Sequence, residues 1–577
     1  MSENSNPPFD VLYKAAEAAL QQCRTGWAPQ PGAPVADGGQ GEPAAKLVSL
    51  QADYYQKQLV MWKAFLRGES ADLQEGQPAK SDRRFTCAEW STTPYFDFIR
   101  KSYLLSANYL TEMAHSVQLE GKAKERLEFA TRQFVDAMSP ANFAATNPEV
   151  LKLALESKGE NFTHGIQNLI DDLSKGRLST TDESEFEVGR NLGVTSGQVI
   201  FENELIQLIQ YAPATTQVYK RPLLMVPPCI NKFYILDMTP ETSLVRFAVE
   251  QGHTVFMVSW RNIEAEQGHL VWDDYLRLGL MEGIAAAHAI SRADKINVLG
   301  FCVGGTLLAS VLAVLAAKGD DRVASVTLLA TLLDYSDPGE LGMFIDEQHV
   351  ATREASIGSG GVLPGKELSV VFSSLRANDM VWAYVVNNYL KGKQPAAFDL
   401  LYWNADSSSL PGPMYCYYLR NTYLENNLRV PGKLSMLGQK VDLGRIDLPA
   451  YILAMREDHI VPWKAAYLSR GLLGGDRRFV LGASGHVAGI VNPPAKNLRS
   501  HWIEDTAAGN KRSEQAVLDS QAWFDAAKQV PGSWWNDWAQ WLAKWGGAKV
   551  RAKSQLGNKA YRPIEPAPGR YVRKNIV

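Results

Sequence analysis

Hydrophobic positions follow one spacing in the first third of the chain and a different one afterwards. Between residues 44 and 175 the spacing is that of amphipathic helices almost throughout. A stretch rich in Pro and Gly, at 27–45, comes first and is typical of a flexible linker. We therefore predict a flexible N-terminal segment and linker over 1–45, followed by an all-helical domain over 46–185.

From about residue 186, short apolar runs rich in β-branched residues alternate with helical stretches. Six of these runs are predicted to be strands, and they lie at 223–226, 254–258, 296–299, 323–329, 450–454 and 478–481. Helices are predicted between them, at 243–251, 275–290, 305–317 and 463–472. Alternation of strand and helix at this spacing indicates a mostly parallel sheet with helices on both faces. Residues 186–577 are therefore predicted to form an α/β domain.

The alternation is interrupted between about 333 and 443. This stretch is rich in aromatic residues, Asn and Ser, and we interpret it as a cap or lid inserted between two core strands. Such an insertion would lie over the carboxyl ends of the strands, where α/β proteins form ligand sites. Its aromatic side chains fit a lid that excludes water, and ordinary packing of a cap explains them equally well. They are Tyr402, Trp403, Tyr415, Tyr417 and Tyr418.

Composition narrows the class of protein. The net charge of −3 gives no reason to expect broad binding of nucleic acid. The five cysteines are odd in number and scattered, with no CxxC pair, so neither a zinc ribbon nor a disulfide framework is indicated. The N-terminus is polar, and the longest apolar stretch, at 306–317, is too short to span a bilayer. We therefore expect a cytoplasmic protein with no transmembrane segment.

The sequence Gly-Phe-Cys-Val-Gly at 300–304 has the form of a nucleophile elbow. It follows a predicted strand and precedes an apolar helix, which is the context that this motif requires. The turn is so tight that the flanking residues, Gly300 and Gly304, must be small. It places Cys302 at a helix N-terminus, whose positive end favours thiolate over thiol. A structural cysteine in a Gly-rich turn is the alternative, but the strand and helix favour a nucleophile.

A catalytic acid and base are expected after late strands, because the chain order in this arrangement is nucleophile, acid, base. Asp458 directly follows the fifth predicted strand, and His486 directly follows the sixth. Their neighbours Glu457 and His459 are rival candidates. Taken singly, Asp458 could cap a helix and His486 could bond to backbone in its loop. Three residues in the right order beside the right strands favour a triad with Cys302.

An oxyanion hole needs two backbone N–H donors. One is expected from Val303, the residue after the nucleophile. The second is expected from the loop after the first predicted strand, at 227–232. The two prolines of that loop have no N–H, so Cys229 or Ile230 is the candidate donor.

Six longer motifs resemble the class I polyhydroxyalkanoate synthases. They are PPCINKFYILDM at 227–238, HTVFMVSWRN at 253–262, GFCVGG at 300–305, LPGPMYCYYLRNTYLENNL at 410–428, REDHIVPW at 456–463 and SGHVAGIVNPP at 484–494. The resemblance runs from about residue 85 to the end of the chain. It implies an α/β-hydrolase fold with an inserted cap, preceded by the helical domain.

The resemblance also implies a reaction. Such enzymes polymerise (R)-3-hydroxyacyl-CoA into a polyester and release CoA, through a thioester that falls here on Cys302. The catalytic positions of the family fall on Asp458 and His486, and its oxyanion-hole amides fall on Ile230 and Val303. CoA thioester is the substrate, so no bound cofactor or metal is implied. Whether Asp458 activates the attacking hydroxyl or only orients His486 stays open.

The resemblance further implies that the protein acts at cytoplasmic polyester granules as a homodimer and contacts the growing chain. It also implies that the N-terminal domain binds granule-associated proteins.

Two other functions fit the same residues. A thioesterase or other hydrolase of this fold would use Cys302 with water, and a non-catalytic granule-surface protein would use none of the three. An intact set of Cys302, Asp458 and His486 argues against the second alternative.

Overall fold

The computed structural model describes residues 42–71, 82–504 and 519–574, which form two compact units. The helical unit consists of the described residues up to Asp182 together with Phe372–Ala397. The α/β unit consists of Glu183–Val371 and the described residues from Phe398 onward. Nearly all of the segment predicted over 1–45 lies outside the described residues.

Local capping signals set the start of helices in the helical unit. Asn147 accepts the backbone N–H groups of Glu149 and Val150 at 3.0 and 3.2 Å, and Pro148 occupies the first helical position. Pro94 likewise occupies the first position of helix Pro94–Ser116. The α-helices of this unit are Glu42–Leu66, Glu89–Thr92, Pro94–Ser116, Gly121–Ala137, Pro148–Glu156 and Glu160–Lys175.

Part of the predicted insertion belongs to the helical unit. Residues Phe372–Ala397 contribute two π-helical segments, Asn378–Trp382 and Val385–Leu390. Buried amide side chains of helix Glu160–Lys175 hold them, since Asn161 donates to the carbonyl of Leu390 at 2.8 Å and Asn168 donates to that of Asn388 at 2.9 Å. Contacts between residues far apart in sequence therefore complete this unit.

An eleven-stranded sheet organises the α/β unit, with the order β15-β14-β13-β12-β7-β6-β4-β5-β2-β1-β17. The six central strands, from β13 to β5, are parallel, and the edges are antiparallel. Three two-stranded sheets hold the remaining strands. The strands are β1 Gly197–Glu202, β2 Ile206–Tyr211, β3 Gln217–Tyr219, β4 Leu223–Val226, β5 Val255–Trp260, β6 Ile296–Phe301, β7 Val323–Leu329, β8 Val362–Leu363, β9 Leu410–Pro411, β10 Ser435–Met436, β11 Gln439–Lys440, β12 Ala450–Met455, β13 Arg477–Gly482, β14 Ser500–Ile503, β15 Lys528–Pro531, β16 Lys549–Arg551 and β17 Glu565–Pro566.

The six predicted strands are the six parallel strands, and their ends differ by one or two residues at most. The helix predicted over 275–290 begins as a π-helical segment, Tyr275–Met281, and continues as Glu282–Ser291. Helix Gly365–Ser374 crosses the boundary between the two units. The α-helices of the α/β unit are Leu244–Glu250, Trp272–Asp274, Glu282–Ser291, Val303–Lys318, Glu347–Ile357, Gly365–Ser374, Asp399–Ala405, Gly412–Tyr418, Trp463–Ser469, His486–Ile490, Ser520–Ala526 and Trp535–Ala543.

The core of the α/β unit lies around the parallel strands. Five of them are buried along their whole length, namely β4, β5, β6, β7 and β12. Helix Val303–Lys318 is buried from its first residue to Leu315, so it is apolar on every face. Such a helix belongs to the centre of a large core. It starts directly after β6, and this junction positions the candidate site.

Candidate active site

The turn between β6 and helix Val303–Lys318 places Cys302 in a sharp backbone conformation. Its φ and ψ angles are 52° and −128°, an uncommon region for a residue other than glycine. A Cβ atom on Gly300 would lie 2.5 Å from the Cα of Gly305. A Cβ atom on Gly304 would lie 2.5 Å from the carbonyl oxygens of Val226 and Pro227. Close backbone approach therefore requires glycine on both sides of the nucleophile position.

Backbone hydrogen bonds hold Cys302 at the start of the helix. Its N–H donates to the carbonyl of Leu329 at 2.9 Å, which ties the turn to the end of β7. Its carbonyl accepts the N–H of Gly305 at 2.9 Å. The thiol is partly exposed, so it is accessible at the N-terminal end of a helix dipole.

Asp458 and His486 come together after the ends of β12 and β13. The Oδ2 atom of Asp458 lies 2.6 Å from Nδ1 of His486, and both side chains are buried. Its other oxygen, Oδ1, accepts the backbone N–H groups of Ile460 and Val461, each at 2.8 Å. Both oxygens are thus occupied. The Asp458 side chain closes a local turn and also pairs with His486. It does not cap the following helix, Trp463–Ser469, whose N-cap position is Pro462.

Electrostatics favour a charged His486. Burial lowers the pKa of its imidazole, but the negative charges of Asp458 and Cys302, with hydrogen bonds to both, outweigh burial and raise the pKa to about 10. The ring also stacks on Phe301, the residue before Cys302, with centroids 5.3 Å apart. Asp458 and Cys302 are therefore the two groups that favour the charged form of the His486 imidazole.

The rival candidates occupy different environments. Glu457 is exposed to solvent, whereas Asp458 is buried. The backbone N–H of Glu457 donates to the carbonyl of Ser484 at 3.1 Å, and His459 is partly exposed. Among these three neighbours, Asp458 is the residue whose side chain bonds to His486.

The loop after β4, at 227–232, lies beside the start of helix Val303–Lys318. The carbonyl of Pro227 accepts the indole N–H of Trp260 at 2.9 Å, and Ile230 is partly exposed. Cys229 is buried, and burial together with the nearby charge of Cys302 raises the pKa of its thiol to about 12. Cys229 therefore stays protonated beside a more accessible cysteine.

Three tyrosines near Cys302 form a buried cluster, and sequence analysis singled out just one of them, Tyr418. The hydroxyl of Tyr335 lies 3.2 Å from the Thr306 hydroxyl and 3.4 Å from that of Tyr418, and its ring meets Tyr423 edge-on at 4.9 Å. Burial and the charge of Cys302 raise the pKa of Tyr335 to about 12. Because Tyr335 follows the end of β7, the rule that ligand sites form at carboxyl ends of strands could have found it.

The other aromatic residues of the insertion take part in packing. Trp403 is buried and donates its indole N–H to the carbonyl of Lys232 at 2.7 Å. Tyr417 stacks on Trp272 with centroids 5.6 Å apart, and Tyr402 packs against Phe186. Tyr415 is partly buried.

Within the residues that the structure describes, no His, Cys, Asp and Glu side chains gather as a metal site would require. No helix in the same residues is long and apolar enough to cross a bilayer.

Comparisons with known proteins match both parts of the chain. A family described as the N-terminus of poly-beta-hydroxybutyrate polymerase (PhaC) matches residues 81–248, and the alpha/beta hydrolase fold matches residues 222–493. A poly(3-hydroxyalkanoate) polymerase subunit of Cupriavidus necator is 54% identical over 92% of this chain and 88% of its own length. This chain belongs to the poly(3-hydroxyalkanoate) polymerase family.

Two further members of the polymerase family are also similar to this chain. A polymerase subunit of Rhizobium meliloti is 40% identical over 89% of this chain and 83% of its own. A polymerase of Methylorubrum extorquens is 40% identical over 92% and 87%, respectively. The family and the α/β-hydrolase fold expected from the sequence motifs are confirmed.

Proposed function

We propose that this enzyme polymerises (R)-3-hydroxyacyl-CoA into a polyhydroxyalkanoate and releases CoA, with Cys302 as the acylated residue. Membership of the polymerase family supports the reaction. The observation that carries the assignment of residues is the buried pair of Asp458 and His486 beside an elbow cysteine.

In the first step, the Cys302 thiolate attacks the thioester carbonyl of the substrate. The carbon–sulfur bond to CoA breaks, and the departing CoA sulfur takes a proton from the imidazolium of His486. The product is an acyl-Cys302 thioester, which is close in energy to the thioester consumed. The N–H groups of Val303 and Ile230 are the proposed donors to the oxyanion of the intermediate.

In the second step, the 3-hydroxyl of a hydroxyacyl unit attacks the acyl-Cys302 thioester. His486, now neutral, accepts the hydroxyl proton, an ester bond forms and the Cys302 thiolate leaves. We propose that Asp458 orients His486 and stabilises its charged form rather than contacting the hydroxyl itself. Support comes from its occupied oxygens, because one bonds to His486 and the other accepts two backbone N–H groups.

We further propose that the enzyme acts as a homodimer on the surface of cytoplasmic polyester granules. The substrate supplies the only non-protein group of the scheme, and no bound cofactor, metal or nucleic acid is part of it. Buried aromatic residues near Cys302, among them Tyr418 and Tyr423, would favour attack by a hydroxyl over attack by water.

The test is to incubate the purified protein with (R)-3-hydroxybutyryl-CoA and to follow free thiol and turbidity together. Thiol release with growing turbidity is expected from polymerisation. Thiol release in a clear solution, with free 3-hydroxybutyrate accumulating, would instead identify a thioesterase.

A further inference from the structure

The loop that follows β4 is paired, backbone to backbone, with a distant segment of the insertion. We refer to residues 227–232 as the oxyanion loop and to residues 403–408 as the strap. The carbonyl of Ile230 accepts the N–H of Ser408 at 2.6 Å. Asn231 and Ser407 form an antiparallel bridge. The oxyanion loop and the strap therefore run side by side as a short ribbon.

Side chains reinforce this pairing. Asn231 is 7% exposed, and its Nδ2 donates to the carbonyl of Trp403 at 3.2 Å. The same amide nitrogen lies 3.4 Å from the hydroxyl of Ser407. A buried amide pays a desolvation cost unless it is satisfied, and here the strap supplies its partners. The side-chain amide of Asn231 therefore has partners on two residues of the strap, Trp403 and Ser407.

Two more hydrogen bonds join the residues that follow. Trp403 donates its indole N–H to the carbonyl of Lys232 at 2.7 Å. The hydroxyl of Tyr234, a fully buried residue, donates to Oδ2 of Asp406 at 3.0 Å. From Ile230 to Tyr234, contacts with the strap thus recur along the chain.

The pairing acts on the peptide next to the proposed donor. The N–H and the carbonyl of Ile230 flank the same Cα, so anchoring the carbonyl restricts the direction in which the N–H points. An oxyanion donor stabilises a transition state only if it is aimed before the reaction begins. The two prolines at the start of the loop supply no N–H, so that end of the loop has fewer hydrogen bonds of its own to fix it.

We propose that the strap aims the N–H of Ile230 at the oxyanion, with Asn231 and Tyr234 as positioning residues. This inference rests on the proposed function, in which the Ile230 N–H is one of two oxyanion donors. It assigns the insertion a role in the chemistry of acyl transfer, besides covering the site.

The test compares two reactions of the same cysteine in the full-length variant Asn231→Leu, which keeps side-chain size but removes the amide. Acylation is measured as CoA released in a single turnover of (R)-3-hydroxybutyryl-CoA. The second reaction is alkylation of Cys302 by iodoacetamide, which is followed by peptide mass spectrometry. In this reaction the cysteine sulfur replaces iodide at a saturated carbon, so no oxyanion forms. Acylation is expected to fall about 100-fold, the effect of losing one such donor, while alkylation keeps its wild-type rate.

Two further variants complete the design. Ser409→Ala is the matched control, because this side chain accepts the N–H of Gly365 at 3.2 Å and does not bond to the oxyanion loop. It is expected to behave as wild type in both reactions. Tyr234→Phe removes one hydroxyl, and we expect a smaller loss of acylation than in Asn231→Leu, again with unchanged alkylation. If Asn231→Leu does not fold, Tyr234→Phe tests the proposal in its place, by reduced acylation with unchanged alkylation.

Wild-type acylation by a folded Asn231→Leu variant would overturn the proposal. An equal loss of acylation and alkylation would also overturn it, since this would indicate general damage to the site rather than a displaced donor. If the wild-type protein itself is not acylated although Cys302 is alkylated, the proposed function fails and this inference fails with it.

Discussion

Two neighbouring strands of the sheet, β6 and β4, end in turns that carry different halves of the proposed site, and the turns are built differently. After β6, glycines within two residues of Cys302 allow the sharp turn, and helix Val303–Lys318 begins immediately. After β4, the loop at 227–232 is held by residues 403–408, more than 170 positions away in sequence. One half of the site is therefore encoded locally and the other depends on the folding of the insertion.

This difference in construction determines how each half of the proposed site responds to substitutions. A substitution in the elbow alters the reacting atom or its turn directly. A substitution in the insertion changes the loop after β4 through contacts such as that of Asn231 with Trp403. The proposed site thus combines a nucleophile held by its own turn with a donor whose geometry depends on tertiary packing.

The largest expected effect contrasts a cysteine from each turn. Cys302→Ala should reduce polymerisation by about 10⁶-fold, as expected for loss of a nucleophile, because no other group at the elbow can form the thioester. Cys229→Ala should retain at least a tenth of wild-type activity, since burial keeps that thiol protonated. CoA release from (R)-3-hydroxybutyryl-CoA measures both variants.

Circular dichroism and thermal unfolding of the two variants provide the control for folding. Substantial turnover by folded Cys302→Ala would contradict the nucleophile assignment. Greater loss in Cys229→Ala than in Cys302→Ala would reverse the comparison between the two turns.

A second test asks whether Asp458 acts through His486. Asp458→Asn should slow turnover by about 10⁴-fold, because an amide can favour the wrong tautomer of the imidazole and no longer stabilises its charge. If Asp458 only orients His486, acylation of Cys302 and chain elongation should fall by similar factors. Rapid-quench measurement of the first CoA released, beside steady-state CoA release, separates the two steps.

Glu457→Gln is the matched control, since it is the adjacent, exposed carboxylate. It should keep wild-type rates in both steps. A loss confined to elongation in Asp458→Asn would show that the carboxylate acts on the attacking hydroxyl.

Sequence patterns predicted the parts of this structure that depend on neighbouring residues. The six parallel strands are continuous apolar runs, and the elbow is a five-residue motif, so both could be recognised. The antiparallel edge strands were missed for an identifiable reason. In β2, Gln207 and Gln210 are buried and interrupt the apolar run, and Gln207 bonds to Glu202 and Glu565.

Other features had no local signal. Nothing in residues 372–397 marks them as part of the helical unit, because their partners are amides such as Asn161 and Asn168 on another helix. The hydrogen bond between Ile230 and Ser408 likewise joins backbone atoms, so the amino-acid sequence of neither segment indicates it. Long-range polar pairing, rather than apolar periodicity, accounts for what the sequence did not predict.

A third test addresses Gly304, where the two turns meet. A Cβ atom there would lie 2.5 Å from the carbonyl oxygens of Val226 and Pro227, so helix and loop must separate. Gly304→Ala should lower the free energy of unfolding by about 1–3 kcal/mol, the usual range for overpacking. Urea unfolding measures this change.

Gly283→Ala is the matched control for stability. A Cβ atom there meets Leu224 at an ordinary 3.7 Å, and alanine favours the helix, so stability should stay the same or rise by about 1 kcal/mol. If Gly304→Ala and Gly283→Ala have the same free energy of unfolding, the elbow and the loop separate without cost. That result would contradict the close packing of Gly304 against the loop.

The last test concerns the pH dependence that the elbow confers on stability. Because the pKa of His486 rises from 6.5 to about 10 on folding, its protonation stabilises the native state fully below about pH 6.5. That contribution is lost as pH rises toward 10. The difference in unfolding free energy between wild type and His486→Gln should therefore narrow between pH 7 and 10, as urea unfolding at several pH values would measure. In a Cys302→Ala background the pKa loses one of its negative partners, so the same narrowing should occur at lower pH. A difference that is flat or widens with pH would show that His486 is neutral in the folded protein, and that Cys302 does not raise its pKa.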